Sequence, residues 1–272
     1  MNACNVIFLH VPKAAGSTLS RIIPRQYSAE KVHTISTTPS VRASIAAFRD
    51  KSRKERRRIR CVVGHAPFGL HDALVGPTWY VTLLRDPIER VISNYYYVRR
   101  FSVHRLHDTM HARGWSLREY VVESGNSALE NGMTRQIAGH AKGSVTDAML
   151  DCAVAHVDEH FAVAGVVERF DASLLLMKRR LGWLSVYYHR RNVTKGRPGK
   201  ADLPEETLRV IRSKNRFDLK LYRQVRSTLD AELEQIDLSL DRRVLQLECT
   251  AHEAYRTLRD TASRLLPPLR SE

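Results

Sequence analysis

The stretch VIFLHVPKAAGSTL, residues 6–19, decides how the chain is read. Val6-Ile7-Phe8-Leu9 is continuously apolar, as a strand covered on both faces of a parallel sheet reads, whereas a half-exposed strand would alternate. His10 to Gly16 then forms a loop, and Ser17 and Thr18 open a short helical pattern with Leu19, Ile22 and Ile23 on one face. Strand, loop and helix N-terminus follow one another within about twenty residues. Backbone N–H groups and the helix dipole at such a turn attract an oxyanion. Lys13 adds a point charge there, and Ser17 and Thr18 add hydroxyl donors. Taken alone, the same loop also reads as an ordinary strand-to-helix turn.

Further apolar runs at Cys61–Val63, Tyr80–Leu84 and Phe161–Val167 read as more sheet strands. Helical stretches such as Ile88–Arg99, Leu117–Glu123 and Ser173–Leu181 separate or follow them, and this alternation predicts an α/β fold. The chain of 272 residues carries 44 Lys and Arg against 29 Asp and Glu, a net charge of +15, and is 43% hydrophobic. That composition excludes disorder as the main state and favours an anionic partner without choosing one. No apolar run approaches the roughly 18 residues of a spanning helix, and the N-terminus has no basic leader or cleavage site, so neither secretion nor membrane insertion is expected. Cys4, Cys61, Cys152 and Cys249 are scattered without a C-x-x-C pair and read as reduced thiols in a cytoplasmic protein.

The last 45 residues differ from the body. Leu229, Leu233, Ile236, Leu240, Val244, Leu247, Ala251, Ala254 and Leu258 recur about every 3.6 residues, which predicts an amphipathic helix that docks on the body or pairs with a second copy. Pro267 and Pro268 would stop it. The expected division is a domain over 1–227 and a helical extension over 228–272.

A second basic turn, Arg85-Asp86-Pro87, follows the strand ending at Leu84, with Arg90 and Ser93 on the helix beyond it. In a parallel sheet both turns lie at the carboxyl edge, where open α/β folds bind ligands. Two anion sites at one edge suit a ligand with phosphates at both ends. In a Walker A loop the lysine follows the last glycine, whereas Lys13 precedes Gly16, so a γ-phosphate with its magnesium is not what this loop is built to hold.

These residues carry a resemblance. FLHVPKAAGSTL is similar to the 5'-phosphosulfate loop, and LLRDPIERVISNYYYV to the 3'-phosphate motif, of sulfotransferases that use 3'-phosphoadenosine 5'-phosphosulfate (PAPS). Within them the chain resembles the carbohydrate group that includes the heparan sulfate 2-O- and 6-O-sulfotransferases and bacterial relatives. Weaker similarity runs through GHAPFGL (64–70), ENGMTRQIAG (130–139), 161–183, NVTKGRP (192–198) and NRFDLKLYRQV (215–225). The family's loop more often has Thr-Gly where this chain has Ala14-Ala15.

The resemblance implies a three-layer α/β/α fold with a central parallel sheet, related to P-loop nucleotide hydrolases. It implies in-line sulfuryl transfer from PAPS to a hydroxyl of a carbohydrate, possibly acidic, leaving adenosine 3',5'-bisphosphate, with no metal. Pro12 to Thr18 would hold the 5'-phosphosulfate, Lys13 would meet charge on the bridging oxygen, Arg85 and Ser93 would hold the 3'-phosphate, and Asn192, Thr194, Lys195, Gly196 and Arg197 would close over the nucleotide. His65, just beyond a predicted strand, is the candidate base or else a structural cap; Glu168 is the substitute, expected to pair with a neighbouring Arg. A bacterial setting is expected with it.

Other readings stay open on sequence alone. A nucleotide or sugar kinase with a degenerate phosphate loop would need ATP and magnesium. A nucleic-acid-binding protein would use the basic run Arg49–Arg60, eight Lys or Arg against two acids, which has no interleaved aromatic and also reads as a solvated face. His104, His107 and His111, near Asp108, share helical spacing compatible with a metal site or with plain solvated histidines, and His156 and His160 pose the same question. Tyr95-Tyr96-Tyr97 points around several sides of its helix, dividing between core and cleft.

Overall fold

The computed structural model describes residues 4–140, 143–189 and 198–265. Its sheet has five parallel strands, β1 (Asn5–Leu9), β2 (Val32–Ile35), β3 (Cys61–Gly64), β4 (Thr78–Leu84) and β5 (Phe161–Val166), in the order β2-β3-β1-β4-β5. All five residues of β1 are buried, the result of its central place between β3 and β4. β2 is missing from the sequence reading because Val-His-Thr-Ile is short, polar at two of four positions and half-exposed at a sheet edge.

The chain order of the helices is α1 (Gly16–Ile22), α2 (Val41–Arg49), α3 (Arg53–Arg56), α4 (Pro87–Arg100), α5 (His107–Ala112), α6 (Leu117–Glu123), α7 (Gly132–Ile137), α8 (Asp147–His160), α9 (Phe170–Leu181), α10 (Glu205–Lys214), α11 (Arg216–Glu234) and α12 (Ser239–Leu265). From β1 the chain crosses towards β2, and from β4 it crosses the other way to β5. Right-handed crossovers in opposite directions place their helices on opposite faces, giving the expected three layers. They also open a crevice between the carboxyl ends of β1 and β4, the switch point of the sheet.

α4 begins where its sequence says it should. Asp86 caps it, its Oδ1 accepting from the N–H groups of Ile88 (2.9 Å) and Glu89 (3.1 Å), and Pro87 takes the first helical position, where no N–H is needed. Its inner face packs Ile88, Val91, Ile92, Tyr95 and Val98 against α5, α6 and α10 in a second cluster beside the sheet core. Arg90 does not belong to the basic turn: it is 2% exposed and pairs at 3.2 Å with the fully buried Asp218 of α11. Asp218 also accepts from Met133 N, Thr134 N and Thr134 Oγ1, so one carboxylate ties α4, α7 and α11 together.

The C-terminal periodicity is carried by two helices and not one. α11 and α12 break at 235–238, and the division expected after residue 227 falls inside α11, where Leu221, Val225 and Leu229 continue the core. The stripe is not one docked face: Leu229 is buried, whereas Leu240, Leu247 and Leu258 of α12 are exposed and Leu245 is the buried leucine of that helix among the described residues.

Three of the eight cations of the basic run are tied to the body, while Arg53, Lys54, Arg57 and Arg58 are exposed. Arg49, Arg56 and Arg60 donate to Gly69 O, Ala73 O and Asn5 Oδ1, and Arg60 enters β3 at the amino edge of the sheet, opposite the crevice. His107 and His111 are bonded to the carbonyls of Val98 (2.9 Å) and Arg99 (3.0 Å), completing the C-terminus of α4. His156 is bonded to Ile137 O and stacks on Phe68, with ring centroids 3.7 Å apart.

Candidate functional site

Parallel register brings the parts of the site together. Leu9 of β1 pairs with Gly64 of β3, so the next residues, His10 and His65, emerge side by side at the carboxyl edge. Their rings stack with centroids 4.0 Å apart, and the His65 Nδ1–H donates to the His10 carbonyl at 2.8 Å. That bond fixes the tautomer and leaves Nε2 as the ring's acceptor nitrogen. Gln136 of α7 donates to the same carbonyl and to Ala66 O, both at 3.1 Å, clamping the turn that carries His65.

Burial lowers the pKa of both rings. His10 is pushed down to about 3 by desolvation, aided by the neighbouring His65 and Lys13. His65 is lowered by desolvation, against the opposing effect of its bond to His10. Both rings are therefore neutral at neutral pH.

Beyond His10 the loop coils tightly. Lys13 and Ala15 adopt left-handed backbone, φ 67° and 55°, costing about 1–2 kcal/mol each for residues with a Cβ, and such alternation forms an anion-cradling concavity. Among the described residues, the N–H groups of Ala15 and Gly16 have no acceptor. Gly16 is demanded by His10: a Cβ there would lie 1.7 Å from His10 Nε2. Pro12, Lys13, Ala15 and Thr18 are half-buried, Ala14 and Gly16 buried, and Ser17 exposed.

The second turn meets the first. Arg85 Nη1 donates to the carbonyl of Lys13 at 3.2 Å, while Nη2 lies 3.4 Å from Glu89 Oε2. Glu89, the half-buried Ser93 and Tyr97 follow at intervals of four on one face of α4. Tyr97 presents its ring to Lys13 Nζ, 3.9 Å from the centroid. Tyr95 is instead buried, donating to Trp115 O, so the tyrosine run divides between core and cleft. Glu168 accepts from the Asp86 N–H at 3.0 Å, and Tyr222 is its other partner, in place of the arginine expected.

A cavity of about 600 Å³ opens beside the loop, lined by Ser17, Thr18, Arg21, Arg25, Tyr187 and His189. Tyr187 lies between the Arg25 guanidinium (4.0 Å) and the His252 ring of α12 (4.3 Å). Lys200, on the other flank, donates through Nζ to Asp86 Oδ2 at 2.8 Å and through its N–H to Glu89 at 3.0 Å. Asn192, Thr194, Lys195, Gly196 and Arg197 lie outside the described residues, between these two anchored flanks.

The structure thus joins Lys13, Gly16, Arg85, Ser93 and His65 at one edge. His10 and Gln136 were given no role by the sequence. The signal that would have found them is strand register, which the sequence does not display.

The family model described as galactose-3-O-sulfotransferase matches residues 2–266, including the terminal helix that the motif resemblance left uncovered. Galactose-3-O-sulfotransferase 3 of Mus musculus is 25% identical over 96% of this chain and 62% of its own length. Galactose-3-O-sulfotransferase 2 of Homo sapiens is 24% identical over 84% of this chain and 61% of its own. The chain therefore spans about three fifths of the length of these curated relatives. The carbohydrate-sulfotransferase resemblance holds, and the matches fall on galactose-3-O- enzymes in place of the heparan sulfate group. This chain belongs to the galactose-3-O-sulfotransferase family.

Proposed function

We propose that the protein transfers the sulfuryl group of PAPS to a hydroxyl of a galactose-containing glycan. The observation that carries this reading is the contact between Arg85 and the Lys13 carbonyl, which makes two oxyanion cradles neighbours beside His65. The donor supplies an activated sulfuryl group whose leaving oxygen must gain negative charge.

The residues fit that donor. Loop N–H groups and Ser17 or Thr18 bind the 5' end, with Lys13 placed to neutralise charge on the leaving oxygen. Arg85 and Ser93 bind the 3'-phosphate, and the adjoining cavity edged by Tyr187 is assigned to the adenine. Asn192, Thr194, Lys195, Gly196 and Arg197, outside the described residues, are assigned to the nucleotide by the motif resemblance alone. His65 Nε2 accepts the acceptor hydroxyl's proton, and the His10 carbonyl orients its ring for that step. Most of the acceleration then comes from placement and charge stabilisation.

Two further expectations join the proposal. A homodimer through α12 is supported by Leu240, Leu247 and Leu258, each 70% exposed or more on the face turned from the body, and sedimentation of the chain tests it. A cytoplasmic, bacterial setting is tested by fractionation of the source cells.

The function is tested by transfer of radiolabelled sulfate from PAPS to galactose-terminated oligosaccharides, with the labelled position identified. Label on galactose is expected. No transfer, together with no rise in melting temperature on adding adenosine 3',5'-bisphosphate without magnesium, overturns the reading.

A further inference from the structure

A polar cleft of about 510 Å³ lies between the start of α7 and the turn joining α10 to α11, away from the loop and the second basic turn. Arg135, Lys214 and Arg216 line it together with Ser144, Ser213 and Glu130. Arg135 is 8% exposed; its Nη1 donates to Ser127 O at 3.0 Å, and its Nε is buried with no acceptor.

Arg90 also has a buried Nε without an acceptor, but its charge is met by Asp218 at 3.2 Å. Arg135 has no carboxylate partner among the described residues. Glu130, the acid of the cleft, is engaged by Lys214. A guanidinium held largely out of water without a carboxylate favours an arriving oxyanion.

We infer that this cleft is an oxyanion subsite that takes a carboxylate or sulfate carried by the acceptor glycan. Arg135 supplies a guanidinium suited to either group, Arg216 adds charge at the mouth, and Lys214 offsets the charge of Glu130 there. Ser144 and Ser213 offer hydroxyls of the kind that bond sugar hydroxyls. α7 links the subsite to the chemistry, because Gln136, the next residue, holds the turn of His65. The glycan as carrier rests on the proposed function; the oxyanion subsite itself does not.

The test is calorimetry and thermal shift at constant ionic strength, with adenosine 3',5'-bisphosphate saturating the donor site. The probes are sodium sulfate, a glucuronyl-galactose disaccharide and its neutral glucosyl-galactose counterpart. The wild type should bind the acidic disaccharide about tenfold tighter than the neutral one, the scale of one charge-assisted contact. Lys214→Gln with Arg216→Gln, both at the mouth, should remove that preference, and Arg135→Lys should weaken it. A sulfate response lost in the double variant without any disaccharide preference supports the subsite but overturns the glycan as carrier. Equal behaviour of wild type and double variant overturns the subsite. A missing bisphosphate response is read separately and counts against the donor assignment alone.

Discussion

The ring of His10 is stacked on that of His65 at 4.0 Å, and the carbonyl of His10 holds the Nδ1 proton of His65. One residue thus sets both the packing and the tautomer of the candidate base. The Nε2 edge of the same ring lies where a Gly16 Cβ would sit, so His10 also shapes the anion loop.

On the proposed function, in which the half-buried Lys13 meets charge on the leaving oxygen, Lys13→Ala should lower turnover by about 100-fold or more while the fold persists. Arg85→Ala should chiefly weaken donor binding, seen as loss of the melting shift with adenosine 3',5'-bisphosphate. A kinetic comparison with labelled PAPS separates the two; a Lys13→Ala enzyme of normal turnover would refute the assignment.

His65→Ala should lose about 100- to 10,000-fold in kcat while keeping bisphosphate affinity. Desolvation lowers the pKa of His65 below 6.5, so the base is already neutral at pH 7. The rate should be flat near neutrality and fall on acidification with a midpoint under 6.5. A midpoint above that value counts against His65.

Acid should also destabilise the fold through His10. The folded ring titrates at about 3 and the unfolded ring at 6.5, so below 6.5 the unfolded chain binds a proton that the folded chain refuses. Stability is complete above 6.5 and lost towards pH 3, with a slope approaching about 1.4 kcal/mol per pH unit. Urea midpoints from pH 7 to 5 measure it. His10→Phe, which keeps a ring and removes the titration, should flatten the dependence.

Gly16→Ala should destabilise by more than the few tenths of a kcal/mol typical of a surface change, since its Cβ overlaps the His10 ring. His10→Ala should relieve the clash, so the double variant should be more stable than the sum of single effects predicts. A double-mutant cycle on melting temperature reads this coupling, and additivity would mean that the ring moves aside freely.

Asp218→Asn should cost about 3–5 kcal/mol, because it leaves Arg90 charged and unpaired in the core. Chemical denaturation measures the loss. Replacing the exposed Lys220, paired with Asp147 across the surface, should change stability by about 1 kcal/mol or less.

Much of this was legible along the chain. Continuous apolar strands in alternation with helices declared a parallel α/β sheet, and Pro87 after Asp86 declared the start of α4. The edge strand β2 was hidden because half-exposed polar residues carry little pattern. Arg90 looked like part of a basic turn because neighbours in sequence need not share a helix face. Local patterns report which side of an element is buried, not what it is buried against.

By itself the sequence determined the strand-loop-helix unit at residues 6–19, the second turn at Arg85 and the cap that aims α4, since each depends on residues close in the chain. The tertiary structure decided that His10 faces His65, that Gln136 clamps their turn and that Arg135 is buried without a carboxylate partner among the described residues. The physical reason is that strand register and helix docking are set by the sum of many distant contacts, which no short stretch encodes.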